Sequence, residues 1–214
     1  MSQNIIKIEP IPNYFTISWR IGIFCNYDCI YCPAEYHNDY EKPLSFDMLK
    51  DAWLKIYNKT KSKNLLYKLA ITGGEPTANK SFLPFMKWLK EECTEVKEVV
   101  VTSNGSASLT YYKDLVNYVD NLSFSTHIEF MDEVKFFTKC DELNQILGDK
   151  FIVNIMNEYW NKDRIELYKE YLEKHSISYT VNDLIIPEDV AKNIPIYLEK
   201  NLQAKGESNI EQIL

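Results

Sequence analysis

Cys25-Asn26-Tyr27-Asp28-Cys29-Ile30-Tyr31-Cys32-Pro33 places three of the chain's five cysteines on one short stretch, directly after an apolar run. Clustered thiols need a chemical reason, because a fold gains nothing from three accessible sulfurs on one loop. Thiolates are soft ligands that select zinc, copper(I) or iron–sulfur clusters. A structural zinc or an ordinary cluster takes four protein ligands. Here the run stops at three, which points to a metal centre with one position left open.

Phe15 to Cys25, just upstream, reads as a strand. Ile17, Trp19, Ile21 and Ile23 fall on one face, with Thr16, Ser18, Arg20 and Gly22 on the other. Its end delivers Cys25 into a loop that runs through Glu35 and His37 to Pro43. Ser45 is an N-cap candidate for a helix carrying Leu49, Ala52, Trp53, Ile56 and Tyr57, which ends near Lys61. Leu65 to Thr72 returns as a strand ending at Gly73-Gly74. Pro84 suits the first turn of the next helix, whose stripe is Phe82, Phe85, Met86, Leu89 and Cys93.

Val99 to Val101 forms a third strand, closing at Ser103-Asn104-Gly105, and a helix bearing Leu109, Tyr112, Leu115, Val116 and Val119 follows. Leu122 to Phe130 alternates as a fourth strand, with Ser125, His127 and Glu129 sharing one face. A helix with Phe136, Cys140, Leu143 and Leu147 leads to a fifth strand, Phe151 to Met156. A helix with Ile165, Tyr168 and Leu172 then leads to a sixth, Tyr179 to Ile186.

Residues 1–14 read as a lead-in in which Pro10 and Pro12 oppose a long strand. Residues 15–187 form the core, and residues 188–214 a terminal helix and tail. Strands alternating with helices imply a parallel sheet, and a flat doubly wound sheet and a curved barrel both satisfy the pattern. In either one the site belongs at the carboxyl ends of the strands, where Cys25, Gly73, Asn104, His127 and Glu158 all fall.

Ile71-Thr72-Gly73-Gly74-Glu75-Pro76 supplies a second motif. With both pieces in view, the sequence resembles the radical S-adenosylmethionine (radical SAM) superfamily. That family's signature is C-x3-C-x-aromatic-C, matched here with Tyr31 as the aromatic, followed by a GGEP-type turn after the next strand. The resemblance implies a single-domain α/β fold, a partial TIM-type (β/α)6 barrel. It implies that Cys25, Cys29 and Cys32 hold three irons of one 4Fe-4S cluster, leaving the fourth iron for S-adenosyl-L-methionine. Reductive cleavage of that cofactor by one electron, from an external donor of the flavodoxin or ferredoxin type, would give methionine and a 5′-deoxyadenosyl radical. The radical would take a hydrogen atom from a peptide or small organic substrate.

Each flanking residue carries two readings. Gly73 and Gly74 admit close backbone approach to a ligand, or simply turn the chain. By the resemblance, Glu75 and Pro76 complete the motif, with Glu75 at the ammonium end of the cofactor. Tyr31 packs near adenine or anchors its loop. Asn104 lies near the ribose or belongs to a Ser-Asn-Gly turn. Ser125 is a candidate for holding the cofactor. His127 contacts substrate, moves a proton, or is a structural histidine. Glu158 is a second catalytic candidate, while Arg20, His37 and Glu129 are candidates for substrate contact. Cys93 and Cys140 read as apolar fillers on buried helix faces.

At 214 residues the chain can bury one substantial core. No apolar run reaches the roughly 18–20 residues that span a bilayer, and the N-terminus lacks signal-peptide features. Five cysteines without an export signal point to a reducing, cytoplasmic setting. A net charge of −7 argues against general nucleic-acid binding. Two alternatives stand beside the radical enzyme: an activating enzyme acting on a large partner protein, and a non-catalytic zinc or cluster module with a fourth ligand such as His37.

Overall fold

The computed structural model describes residues 14–33, 35, 36, 40–186, 190–192 and 194. His37, most of the lead-in, Pro187 and the C-terminal tail lie outside the described residues. Six parallel strands form one sheet in chain order: β1 (Tyr14–Arg20), β2 (Leu66–Thr72), β3 (Val96–Ser103), β4 (Asn121–Ser125), β5 (Phe151–Asn157) and β6 (Ser178–Asp183). Five helices alternate with them: α1 (Phe46–Thr60), α2 (Phe82–Glu92), α3 (Leu109–Leu115), α4 (Glu133–Leu147) and α5 (Lys162–Lys174). Among the described residues β1 pairs only with β2 and β6 only with β5, so the sheet stays open. Each neighbour is reached through a helical crossover, as parallel pairing demands.

Alternation along each strand separates two faces. Leu69, Ile71, Val99, Val101, Leu122, Phe124, Val153 and Ile155 are buried against the helices. Ring contacts tie the layers together: Trp53 meets Tyr67 at 5.1 Å, Trp19 meets Phe85 at 5.6 Å and Tyr112 meets Phe124 at 4.6 Å. Burying each such side chain contributes about 1.5–3 kcal/mol. The other face mixes apolar residues such as Ala70, Val100 and Ile152 with polar ones, and its polar groups pair laterally. Thr102 and Ser123 hydroxyls lie 3.0 Å apart, and Thr180 Oγ1 donates to Asn154 Oδ1 at 3.0 Å.

Helix boundaries follow local chemistry. Ser45 Oγ accepts from Met48 N at 3.3 Å, Ser108 Oγ accepts from Tyr111 N at 3.2 Å, and Asp132 Oδ1 accepts from Lys135 N at 3.1 Å. Cys93, at the C-cap of α2, and Cys140, on α4, are buried as core fillers.

Three strands end earlier than alternation predicts. β1 stops at Arg20 rather than Cys25; Ile21 N still donates to Thr72 O at 3.0 Å, and Gly22 then lets the chain leave the sheet. β4 stops at Ser125 rather than Phe130, because Phe130 N and Met131 N both turn back to His127 O. His127 and Glu129 therefore sit in the loop after β4, not on its face. β6 closes at Asp183 rather than Ile186.

Candidate functional site

At the carboxyl ends of the strands lies a cavity of about 370 Å³. Its wall includes Cys25, Cys29 and Cys32, all free thiols, with Cys29 buried and the other two half-buried. Cys32 N donates to Cys29 O at 2.9 Å, forming a tight turn, and Tyr27 N donates to Cys25 Sγ at 3.4 Å. Burial pushes the Cys25 thiol up to about 11 and raises Cys29 and Cys32 as well. A metal ligated here must displace those protons.

The glycine pair seats this loop. A Cβ on Gly74 would stand 2.1 Å from Phe24 O, and one on Gly73 would stand 2.0 Å from Arg20 Cγ. Both glycines also have positive φ, +51° and +101°. Glu75 N donates to Phe24 O at 2.8 Å, so the end of β2 rests on the backbone that leads into Cys25. Gly73, Gly74 and Glu75 line the cavity, whereas Pro76 is buried behind them and opens a short 3₁₀ turn over Pro76–Ala78.

Glu75 is only 2% exposed, and both its oxygens are occupied. Oε1 accepts from Thr77 N at 2.9 Å, Thr77 Oγ1 at 2.6 Å and Ser103 Oγ at 2.8 Å, while Oε2 accepts from Asn104 N at 2.5 Å. Burial pushes its pKa up, and these donors pull it back. Asn104 in turn donates from Nδ2 to Asn26 Oδ1 at 3.1 Å and accepts from Ser106 N at 3.0 Å. One carboxylate thus joins the β2 exit to the β3 exit, and the Asn104 side chain carries the link on to the cysteine loop.

From the other side, the loop after β4 grips the same cysteines. His127 Nδ1 lies 2.7 Å from Tyr31 Oη and 3.4 Å from Cys29 Sγ. Its ring runs parallel to Tyr31 (10° between planes) and edge-on to Tyr27. Glu129 Oε2 accepts from Ile30 N at 3.2 Å, and Phe130 stacks on Tyr27 at 5.3 Å. Burial lowers the His127 pKa to about 4, so the ring is neutral. Glu158, 1% exposed, accepts from Ile128 N at 3.3 Å and Asn161 Nδ2 at 2.8 Å, and burial raises it to about 7. Glu129 and Glu158 thus brace loops rather than line the cavity wall.

Ser125 and Arg20 reach the cavity from β4 and β1. The Arg20 guanidinium lies 4.0 Å above the Tyr36 ring. Sequence reasoning passed over Tyr36, Thr72, Thr102 and Met156, which also line it. Three of these, Thr72, Thr102 and Met156, share the strand parity of Arg20 and Ser125, and that parity was the available signal. Asn26, which anchors Asn104, carried no signal of its own.

A sequence profile for the Radical SAM superfamily matches residues 19–186. The chain belongs to the radical SAM superfamily. Curated relatives named GTP 3′,8-cyclase include one from Pasteurella multocida, 34% identical over 93 residues that cover 43% of this chain and 26% of the relative. Another, from Campylobacter jejuni, is 29% identical over 140 residues, covering 64% and 41%. The chain spans less than half the length of these relatives.

Among solved structures, Streptococcus suis SuiB bound to precursor peptide SuiA superimposes with TM-score 0.57 at 15% identity, covering 92% of this chain and 48% of that one. BtrN in complex with AdoMet and 2-DOIA gives 0.52 at 14%, covering 95% and 83%. Both likenesses concern the fold, an open partial barrel.

Membership in this radical SAM enzyme family implies S-adenosylmethionine, an iron–sulfur cluster and an external electron donor. The residues present fit. Three unbridged thiols from one loop face one cavity, while the other two cysteines are packed in the core. Among the described residues, no three His, Cys, Asp or Glu side chains are grouped as around one metal ion. A cube does not require such a grouping, since each thiolate takes its own iron. No described helix is long and apolar enough to cross a membrane.

Proposed function

We propose that this radical SAM enzyme binds one 4Fe-4S cluster through Cys25, Cys29 and Cys32 and uses S-adenosylmethionine to abstract hydrogen from a peptide or small organic substrate. The observation that carries the reading is the meeting of the three thiols, the Gly73-Gly74-Glu75 turn, Asn104 and Ser125 around one cavity. When bound, cluster and cofactor supply a one-electron cleavage of the sulfonium, giving methionine and a 5′-deoxyadenosyl radical that takes a hydrogen atom from substrate.

The chain's own residues bind and orient. Glu75 spends its carboxylate on four protein donors, so the turn presents backbone to the cofactor and Glu75 holds that backbone still. Ser125 offers a hydroxyl at the cavity wall, and Asn104 fixes the cysteine loop through Asn26. Tyr31 closes one side of the cavity and limits water there. Arg20, steadied over Tyr36, offers substrate a cation. Residues 15–187 make up this core, and the electron comes from a flavodoxin- or ferredoxin-type donor in the cytoplasm. GTP, SuiA and 2-DOIA, named for the relatives and neighbours, span the proposed substrate range.

Anaerobic reconstitution with iron and sulfide, followed by S-adenosylmethionine and dithionite, tests this by chromatography of 5′-deoxyadenosine. The wild type should form it and Cys29→Ala should not. A fully loaded wild type that forms none, with or without candidate peptides, contradicts the reading, as does a colourless protein holding one zinc.

A further inference from the structure

We propose that His127 is a positioning residue that acts on the cluster through Cys29: its Nδ1–H donates to the Cys29 thiolate and sets the potential at which the cluster accepts its electron. The inference rests on the cluster assignment above and goes beyond it, because it gives a role to a side chain outside both motifs.

The exit of β4 is fixed before it reaches His127. Thr126 is fully buried; its N–H donates to Asn154 O at 2.9 Å, and its Oγ1 accepts from Met156 N at 3.0 Å. His127 O then accepts from both Phe130 N and Met131 N, at 3.0 and 2.9 Å. The ring is held between two aromatic side chains of the cysteine loop, Tyr27 and Tyr31. Its placement against Cys29 therefore follows from the sheet and from packing, not from a mobile rotamer.

Proton accounting decides the direction of the contact. Nδ1 sits 3.4 Å from Cys29 Sγ and 2.7 Å from Tyr31 Oη. A cysteine bound to iron is a thiolate and can only accept. A bare Nδ1 could accept from Tyr31 Oη but would set its lone pair against the thiolate, whereas a protonated Nδ1 can donate to both neighbours, so we assign the proton to Nδ1. Tyr31 Oη shares that proton as a second acceptor and has two acceptors for its own, the Glu158 carboxyl and the Cys29 sulfur.

Hydrogen bonds to cluster sulfurs are among the levers that set reduction potential, because they stabilise the more negative, reduced state. An N–H aimed at one ligand sulfur raises the midpoint. Removing it makes the same electron harder to add, with no change in the ligand set.

EPR-monitored potentiometric titration of the wild type, His127→Phe, His127→Asn and His127→Gln, each assayed for iron and sulfide, tests the proposal. Asn carries an amide nitrogen near the place of Nδ1, and Gln near that of Nε2. The expected midpoint for Phe lies below wild type, with Asn between them and Gln beside Phe. Equal midpoints at equal iron content overturn the proposal. If Phe fails to hold iron, Asn and Gln decide: Asn must titrate above Gln, and coincidence overturns the proposal. Loss of iron in all three variants makes the residue structural and also overturns it. A wild type that takes up no cluster fails earlier and removes the functional reading itself, so the two failures are told apart.

Discussion

Replacing Glu75 by glutamine changes one oxygen to an amide nitrogen and little in size. Oε1 meets three donors and Oε2 meets Asn104 N, so either amide orientation turns N–H toward N–H. Leaving such buried groups unpaired costs about 1–3 kcal/mol. Urea unfolding of Glu75→Gln should show a lower midpoint at unchanged slope; a midpoint equal to wild type would mean the network is not formed. The motif made Glu75 conspicuous in the sequence but not its direction. Its partners Ser103 and Asn104 lie 28 and 29 residues further on and come within reach only because β2 and β3 are neighbours. Similarly, glycines at 73 and 74 were legible as sites of close approach. That what they approach is the Arg20 side chain and the Phe24 carbonyl, upstream of the thiols, required the fold.

Elements were easier to read than their ends. Periodicity found all six strands and the five intervening helices, and the cap at Ser45 was visible as a serine ahead of an apolar stripe, with Asp47 in the first turn. The fourth strand was overextended because Ile128 is buried as alternation requires, yet it packs from a turn. Beyond that turn, Asp132 caps α4 through Lys135 N and also meets Lys135 Nζ at 2.7 Å. The ion pair is exposed and contributes little, whereas the cap is worth about 1 kcal/mol.

The Lys135 side chain first, then its backbone N–H, hold the Asp132 carboxyl below its ordinary value. Because the folded-state pKa is the lower one, the stabilisation is complete above about pH 4 and fades as pH falls through the folded value. Asp132→Ala should therefore unfold at lower urea than wild type at neutral pH, with the gap closing in acid. A gap constant from pH 7 to 3 would show that the carboxylate does not cap the helix.

For the molecule as a whole, alternation of strand and helix gave the parallel sheet, and the two motifs implied its curvature. What no local pattern could reveal is how the exits of β2, β3 and β4 converge on one loop from three directions: Glu75 through Phe24, Asn104 through Asn26, and His127 through Cys29. These contacts span up to 98 residues and exist only once the sheet has formed. They hold three thiols toward a cavity of about 370 Å³, with room beside them for a further ligand. The central claim is that an iron at this loop stays open to S-adenosylmethionine. Low-temperature EPR of the reconstituted, reduced protein, recorded before and after adding S-adenosylmethionine, tests it most directly. The expected result is a reduced-cluster signal whose g-values shift when the cofactor is added; a cluster signal that the cofactor leaves unchanged would contradict it.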